Sequence, residues 1–365
     1  MEEIDKSTTF ERGFFGKSSF FYGANSENGF ISYGKDLTDD GSFDRIIYVM
    51  GGPGTGKSSL MRAVSNYAVS QSIGCEKYFC SSDPSSLDAI RLFDNASGKK
   101  VFICDATSPH PREYSTPGAV GVIADLSAFW SSEMLSKNKT HVIKLQNEKK
   151  KHFNAAYGFL RLCGKTVLDI SVLKKYYDCE SLERKVSELL RKAAPDGGTV
   201  WERPVSCISM FGEKTLNNRC YGAKNTLRLG NNCDFSVIFF ELLITECKKR
   251  GISFLRSPNP ISPNRTEEIF VPSASLFVSV ISDECKHKLQ AGRYLREETA
   301  KELSKITKAS FSAFDEYKNA ALRELALAKD CHFALERMYG AAMDFEAKER
   351  FDKSIVKIVS DIFQK

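Results

Sequence analysis

Residues 51–59 read GGPGTGKSS, and the interpretation of the whole chain starts from this stretch. Its first glycine and the later Gly56, Lys57 and Ser58 match the pattern G-x-x-x-x-G-K-[ST], the Walker A motif of phosphate-binding loops. Glycines allow the backbone to curl until successive N–H groups point at the same phosphate oxygens. The residue types therefore predict a phosphate site in this loop.

The sequence on either side of the loop has the context that the motif requires. Residues 45–50 (RIIYVM) form a short apolar run, typical of a buried parallel strand. After the loop, apolar residues recur on one face of a predicted helix, and Gly74 is placed to end that helix. The predicted order is strand, glycine loop and helix, which favours a nucleotide site over a simple turn.

Each part of the loop has an expected role. Lys57 reaches the β- and γ-phosphates of the nucleotide, and the Ser58 hydroxyl is a ligand for Mg²⁺. The N-terminus of the following helix adds its partial positive charge. The residues that we expect to lie against the phosphates are Gly51, Gly52, Pro53, Gly54, Thr55, Gly56, Lys57 and Ser58.

A second strand supports this interpretation. Residues 101–105 (VFICD) are four apolar residues followed by Asp105. A carboxylate in that position is expected to face Mg²⁺, usually through a water molecule, which is the Walker B role. The next residue is Ala106, where many ATPases place a catalytic glutamate, so the base that activates water stays unassigned.

Candidates for that base lie in residues 80–88 (CSSDPSSLD), at the expected carboxyl edge of the sheet. Asp83 is the predicted catalytic residue of this segment, orienting water or a substrate. The competing interpretation is that Asp83 caps a helix whose first residue is Pro84. Thr107 and His110 are either sensors of the γ-phosphate or residues of a solvated loop.

The second half of the chain resembles a degenerate copy of the first. Residues 81–84 match 257–260 at an offset of 176, and residues 101–104 match 278–281 at an offset of 177. The turn-rich segment 194–198 (APDGG) between them predicts domains 1–198 and 199–365. Each half ends in a helical segment, over 131–192 and 289–364, and we expect these helices to pair beside each sheet.

The repeat predicts that the second copy lacks a nucleotide. At the same offsets Lys57 falls on Cys233 or Asp234, and Asp105 falls on Ile281 or Ser282. An aspartate beside a phosphate repels it, so we expect one site per chain.

Composition excludes several other classes of protein. The chain has 365 residues and a net charge of +6, so its charge balance does not favour a nucleic-acid partner, although it does not rule one out. No apolar run approaches the roughly 18 residues that span a membrane, and the polar N-terminus is not a secretory signal. Eleven cysteines without a CxxC pair predict reduced thiols in a cytoplasmic protein.

The motifs together resemble a family. GGPGTGKSSLM, CSSDPSSLD, the strand that ends at Asp105, and the later TSPH and PGAV are similar to a poorly characterised bacterial family of tandem P-loop ATPases. The likeness is strong over residues 20–120 and faint after residue 200. It implies a duplicated P-loop NTPase fold of class α/β. Each half is expected to be a mainly parallel sheet with flanking helices and a C-terminal helical segment. ATP is the nucleotide that the resemblance implies.

Three functions remain open at this point. The first is hydrolysis of Mg·ATP at one site, with the second half as a scaffold or regulator that lends an arginine from among Arg219, Arg228 and Arg293. The second is a kinase that transfers the γ-phosphoryl group to a small molecule. The third is a nucleotide-gated binding module, with little turnover, whose helical arms engage a protein partner.

Overall fold

The structure is a computed structural model that describes residues 18–34, 37, 43–108, 116–216, 220–230 and 232–364. It contains two six-stranded sheets with helices on their outer faces. The prediction of a duplicated α/β architecture with two mostly parallel sheets is therefore confirmed.

The first sheet has the strand order β1-β5-β6-β7-β4-β8. Three of its neighbouring pairs are parallel, and the two pairs that involve β6 are antiparallel. Its strands are β1 (Ser19–Phe21), β4 (Arg45–Met50), β5 (Gly74–Phe79), β6 (Leu87–Phe93), β7 (Lys100–Asp105) and β8 (Gly121–Asp125), and a hairpin of β2 (Gly23–Ser26) and β3 (Gly29–Ser32) follows β1.

The second sheet has the order β16-β12-β15-β14-β13-β9 and repeats the strand directions of the first, pair by pair. Its strands are β9 (Val200–Glu202), β12 (Asn225–Leu229), β13 (Phe254–Pro258), β14 (Thr266–Val271), β15 (Leu276–Ser279) and β16 (His287–Leu289), with a hairpin of β10 (Ser206–Ser209) and β11 (Gly212–Thr215) after β9.

Eight helices complete the part of the chain that the structure describes. They are α1 (Lys57–Ser70), α2 (Ser132–Lys137), α3 (Lys139–Thr166), α4 (Ile170–Lys174), α5 (Cys179–Leu189), α6 (Phe235–Arg250), α7 (Ala300–Ala341) and α8 (Phe345–Phe363). None of these helices combines the length and the apolar character that crossing a bilayer requires.

Helix α1 ends earlier than the position of Gly74 predicts. Its last residue is Ser70, and Ser72 makes the turn with a left-handed φ of 59°. Gly74 is instead the first residue of β5. The prediction was wrong because a serine adopts the conformation that the sequence seemed to reserve for glycine.

The two sheets face each other across a shared core. Tyr48 and Phe102 of the first sheet lie in one apolar cluster with Leu255, Phe270 and Phe277 of the second. The alternate residues of β4 and β7 point the other way and pack against α1. The period-two alternation of the strands therefore gives four layers, helix–sheet–sheet–helix.

The helical segments cross between the halves. Leu173, Leu182 and Val186, which precede the second half, lie in one core cluster with α6. Ile355 and Val359 of α8, at the end of the chain, pack with α1 of the first half. Each half therefore supplies the outer helices of the other.

The two long helices pair with one another. His152 of α3 contacts Glu324 of α7, and Cys163 of α3 contacts the backbone of Phe314 in α7. The residue numbers therefore increase along α3 as those of the contacting residues in α7 decrease. Helices α3 and α7 are thus antiparallel partners. The expectation that these helices pair beside each sheet was wrong, because the pair joins the two halves through contacts between residues 172 and 151 positions apart.

The strand registers sharpen the internal repeat. A register shift follows Tyr78 in β5 and Ser257 in β13, and it brings Phe79 opposite Leu87 and Pro258 opposite Thr266. Phe79 therefore corresponds to Pro258, an offset of 179. The offset of 176 predicted for this segment was three residues too small, because ungapped matching ignores the differences in loop length.

Candidate functional site

The segment between β4 and α1 forms a tight turn, which we call the glycine loop (residues 51–56). Gly51, Gly54 and Gly56 have positive φ angles of 147°, 72° and 84°. The Thr55 hydroxyl donates to the Gly52 carbonyl at 2.9 Å and fixes the turn from within. Glycine is required here because a side chain in these conformations is strained.

Lys57 is the first residue of α1, and its side chain folds back over the glycine loop. Its Nζ donates to the carbonyl oxygens of Gly51 at 2.8 Å and Gly52 at 3.0 Å. The same Nζ lies 3.5 Å from Oδ2 of Asp105. The ammonium group is therefore held at the mouth of the loop, in reach of an anion bound there.

Asp105 ends β7 directly beside the strand that leads into the glycine loop, since Val49 and Asp105 are paired. Its Oδ1 accepts hydrogen bonds from the Thr107 backbone at 2.8 Å and from the Thr107 hydroxyl. Burial raises the pKa of Asp105, and the Lys57 ammonium and the Thr107 hydrogen bonds oppose that rise. A nearby cation would favour its ionised form further.

Asp88 joins this group from β6. Ala89 pairs with Cys104 in the antiparallel ladder, which puts Asp88 opposite Asp105 on the face toward α1. Asp88 also contributes to the raised pKa of Asp105. Ser58 completes the cluster, because its hydroxyl accepts a hydrogen bond from the Leu87 backbone at 2.9 Å.

Asp83 lies in the loop between β5 and β6. Its Oδ1 accepts hydrogen bonds from the Ser85 backbone at 3.0 Å and the Ser85 hydroxyl at 2.7 Å. No helix begins at Pro84, so the cap interpretation was wrong: the segment is the turn between two antiparallel strands. The catalytic role of Asp83 stays a prediction, and none of its described hydrogen bonds reaches Lys57, Ser58 or Asp105.

The remaining residues singled out from the sequence lie in different places in the structure. Thr107 is engaged with Asp105 itself, whereas His110 lies outside the described residues. Arg219 lies outside them as well. Arg228 is engaged in its own half, where it forms an ion pair with Asp283 and donates to the Ser282 carbonyl at 3.3 Å. Arg293 is exposed beyond β16.

Helices α7 and α8 cover the glycine loop, and we call their residues that lie against it (Glu336, Tyr339 and Lys348) the roof. A Cβ built on Gly54 would lie 2.5 Å from the Glu336 carbonyl oxygen of α7. A Cβ on Gly52 would meet the ring of Tyr339 at 3.1 Å, and one on Gly56 would meet Nζ of Lys348 at 2.9 Å. The loop glycines thus also permit close contact with helices contributed by the second half.

A chain of polar side chains in α3 and α7 lies beside this roof. Nζ of Lys149 is 3.1 Å from Nδ1 of His332, and Nε2 of His332 is 3.4 Å from Oε1 of Glu336. The bond to His332 lowers the pKa of Glu336, and Lys149 and Lys57 lower it further. No local sequence pattern indicates this group, because Lys149 lies 183 residues before His332.

The corresponding loop of the second half differs in length and chemistry. Tyr48 pairs with Cys104, and Arg228 pairs with Ser279 in the equivalent ladder. Counting from these two residues to the start of each helix, the second loop is two residues shorter, and Lys57 corresponds to Phe235. The predicted match to Cys233 or Asp234 was therefore wrong by one or two positions.

Asp234 occupies the cap position of α6, with a left-handed φ of 55° like that of Gly56 in the first half. Its carboxylate is buried and forms an ion pair with Arg265 at 2.9 Å. By the same registers Asp105 corresponds to Val280, one or two residues before the predicted Ile281 or Ser282. The second half thus has the apolar side chains of Phe235 and Val280 where the first has Lys57 and Asp105, and it has the ion-paired Asp234 where the first has Gly56.

The residues of the first loop fit a magnesium nucleotide. The positive-φ glycines provide the curled backbone, and Lys57, Ser58 and Asp105 provide the donor set for a phosphate chain and a hard cation. Among the described residues, no group of three or more His, Cys, Asp or Glu is arranged to hold a metal ion by itself. Mg²⁺ usually keeps several waters and phosphate oxygens as ligands, so few protein ligands suffice.

We compared the chain with family models, with curated proteins and with solved structures, and none of these comparisons gave a match.

Proposed function

We propose that the first half binds Mg·ATP and hydrolyses it, with the second half as a scaffold that supplies the roof helices. The observation that carries this proposal is the cluster at the glycine loop, where Lys57 lies 3.5 Å from Asp105 at the start of α1. Residues 51–58 hold the phosphate chain in this proposal. From the same cluster of residues we also propose that the chain is related to the tandem P-loop ATPases that its motifs resemble.

The roles of the side chains follow from their positions. Lys57 exchanges its bonds to two loop carbonyls for bonds to phosphate oxygens, which are stronger because both partners are charged. Ser58 and Asp105 would hold Mg²⁺, which neutralises charge on the phosphates. Asp88 is a better placed base for the attacking water than Asp83, because the strand register puts it opposite Asp105.

A cleft beside the loop offers room for the nucleoside. It has a volume of about 490 Å³, within the usual range of roughly 300–1,000 Å³ for ligand sites. Its lining includes Phe129, Trp130 and Met343. Trp130 also packs on Tyr339 next to Gly52, so the cleft borders the phosphate site and an aromatic ring is available to contact a base.

Thermal unfolding with Mg·ATP and release of phosphate test the proposal together. At about 100 times Kd the ligand should stabilise the native state by about 2.7 kcal/mol. Because the two halves share a core, the chain should melt as one unit, and this raises Tm by roughly 3–4 °C. Lys57→Ala should abolish both the shift and the phosphate release. An unchanged Tm at millimolar Mg·ATP in the wild type would exclude the nucleotide.

The roof contact favours a second candidate, the nucleotide-gated binding module. Glu336 touches the backbone of Gly54, so filling of the loop is coupled to the position of α7. A nucleotide-dependent Tm shift without phosphate release, alone or with added acceptors, would favour this candidate over the ATPase.

A further inference from the structure

Lys149 is unlike the lysines that follow it in α3. Lys150 and Lys151 are exposed, as expected for a solvated helix face, whereas Lys149 is half-buried between α3 and α7. Burial lowers the pKa of Lys149, so the fold bears a cost for keeping an ammonium group there. Among the described residues, Lys149 forms no ion pair within 4.0 Å that would offset this cost.

The hydrogen bonds around Lys149 define its state. The ammonium group can only donate, so Nδ1 of His332, 3.1 Å away, must accept and the imidazole is neutral. The remaining ring proton is then on Nε2, directed at Oε1 of Glu336 at 3.4 Å. Glu336 thus fixes the tautomer of His332, and His332 holds the lysine in position.

Lys149 is connected to the glycine loop through α7. The charge of Lys57 contributes to the lowered pKa of Lys149, and the carboxylate of Glu336 opposes it. The backbone of Glu336 contacts Gly54 in that loop. The contacts from Lys149 through His332 to Glu336 therefore link Lys149 to the segment of α7 that lies on the loop. A phosphate group that both ammonium groups contact would relieve their repulsion and the desolvation of Lys149.

We propose that Lys149 is a second phosphate-binding residue, which contacts the terminal phosphate of the nucleotide held by the glycine loop, and that His332 and Glu336 position it. This inference rests on the proposed function, and it adds Lys149 of α3 to the nucleotide site. A cation at this phosphate distinguishes a nucleoside triphosphate from a diphosphate, so α3 and α7 sense which nucleotide is bound.

The test measures two Kd values, that of Mg²⁺ with a non-hydrolysable ATP analogue and that of Mg·ADP, by equilibrium dialysis at fixed ionic strength, for the wild type and for lysine variants of α3. The analogue takes the place of ATP in each measurement, so that hydrolysis does not change the ligand during dialysis. Lys149→Met should weaken Mg·ATP by about 10-fold or more, as for loss of a charged hydrogen bond, and Mg·ADP by less than about 3-fold. Lys150→Met removes an exposed charge from the same helix and should change neither value by more than about 2-fold.

Three results decide between the alternatives. Equal weakening of both nucleotides by Lys149→Met, or no weakening, overturns the role of Lys149 and leaves the nucleotide site standing. No binding of Mg·ATP by the wild type overturns the inference and the proposed function together. Lys149→Gln provides the same test with a polar side chain, should the methionine variant not fold.

Discussion

The two halves of the chain share strand order, strand direction and an outer helix, but they differ where the central strand meets that helix. In the first half six residues curl ahead of Lys57, and in the second half four residues lead to Phe235. Asp105 in the first half corresponds to Val280. A duplicated fold can therefore keep its architecture while one loop changes in length and in its side chains.

The helical arms make each half part of the structure of the other. Helices α7 and α8 of the second half cover the glycine loop and α1, and α4 and α5 of the first half cover α6. The equivalent junctions are built alike: the Asp178 backbone donates to the Tyr294 carbonyl, and the Asp344 backbone donates to the Phe129 carbonyl. Neither half completes its own core.

The sharpest contrast between the halves is expected from one substitution in each loop. Lys57→Ala should remove the Mg·ATP-dependent rise in Tm, and it should also lower the unliganded Tm, because it leaves the buried Asp105 carboxylate without the ammonium group that lies 3.5 Å away. Asp234→Ala should keep the rise but lower the free energy of unfolding by about 3 kcal/mol, since it leaves Arg265 without its buried partner. Loss of the nucleotide effect in both variants would show that the second half contributes to binding.

The second half should also respond to pH. Burial raises the pKa of Glu267 to about 7 and of Glu268 to about 8. The folded state therefore binds more protons than the unfolded state above pH 4.5, and stability falls as pH rises toward 8. Denaturant unfolding should give about 5 kcal/mol more stability at pH 5.5 than at pH 8.5. The Glu267→Gln/Glu268→Gln double variant should have a nearly flat profile, and an unchanged slope would assign the effect to other groups.

Because helices of each half pack against the other half, a substitution in one of these helices should destabilise the half that it covers. Ile355→Ala in α8 should cost about 2–4 kcal/mol and speed hydrogen exchange in α1, because Ile355 is buried against that helix. Leu182→Ala in α5 is the matched change and should speed exchange in α6. Faster exchange in the sheet nearest in sequence, for either variant, would contradict the crossed arrangement.

The smallest effect isolates the contact between loop and roof. Gly54→Ala places a methyl group 2.5 Å from the Glu336 carbonyl at a φ of 72°, so it adds a clash to backbone strain. Gly29→Ala is the control, because Gly29 has a φ of 87° with nothing within 4 Å. The control should lose about 1 kcal/mol in denaturant unfolding, and Gly54→Ala about 1 kcal/mol more. Equal losses of stability in the two variants would mean that α7 moves away from the loop at no measurable cost in free energy.

Sequence reasoning succeeded where the signals are local. The strand of residues 45–50, the glycine turn and the helix that begins at Lys57 follow from adjacent residues, and so does the strand that ends at Asp105. The failures have a common cause. Asp83 and Pro84 read locally as a helix start, but antiparallel pairing of β5 and β6 makes them a turn.

Long-range contacts account for the residues that were missed. Asp88 belongs to the candidate site because β6 pairs with β7, a relation that the alternation of one strand does not reveal. Lys149 looks like part of a solvated charge run until α7 packs against it. The predicted offsets of the repeat failed because loops in the two halves differ in length, which only the strand registers resolve.

The central claim is one magnesium nucleotide per chain, bound in the first half. The most direct test is equilibrium dialysis with Mg²⁺ and a non-hydrolysable ATP analogue, which counts bound nucleotide per chain in the wild type and in Lys57→Ala. We expect one bound nucleotide per chain in the wild type and no bound nucleotide in Lys57→Ala. Two nucleotides per chain, or binding that survives Lys57→Ala, would contradict it.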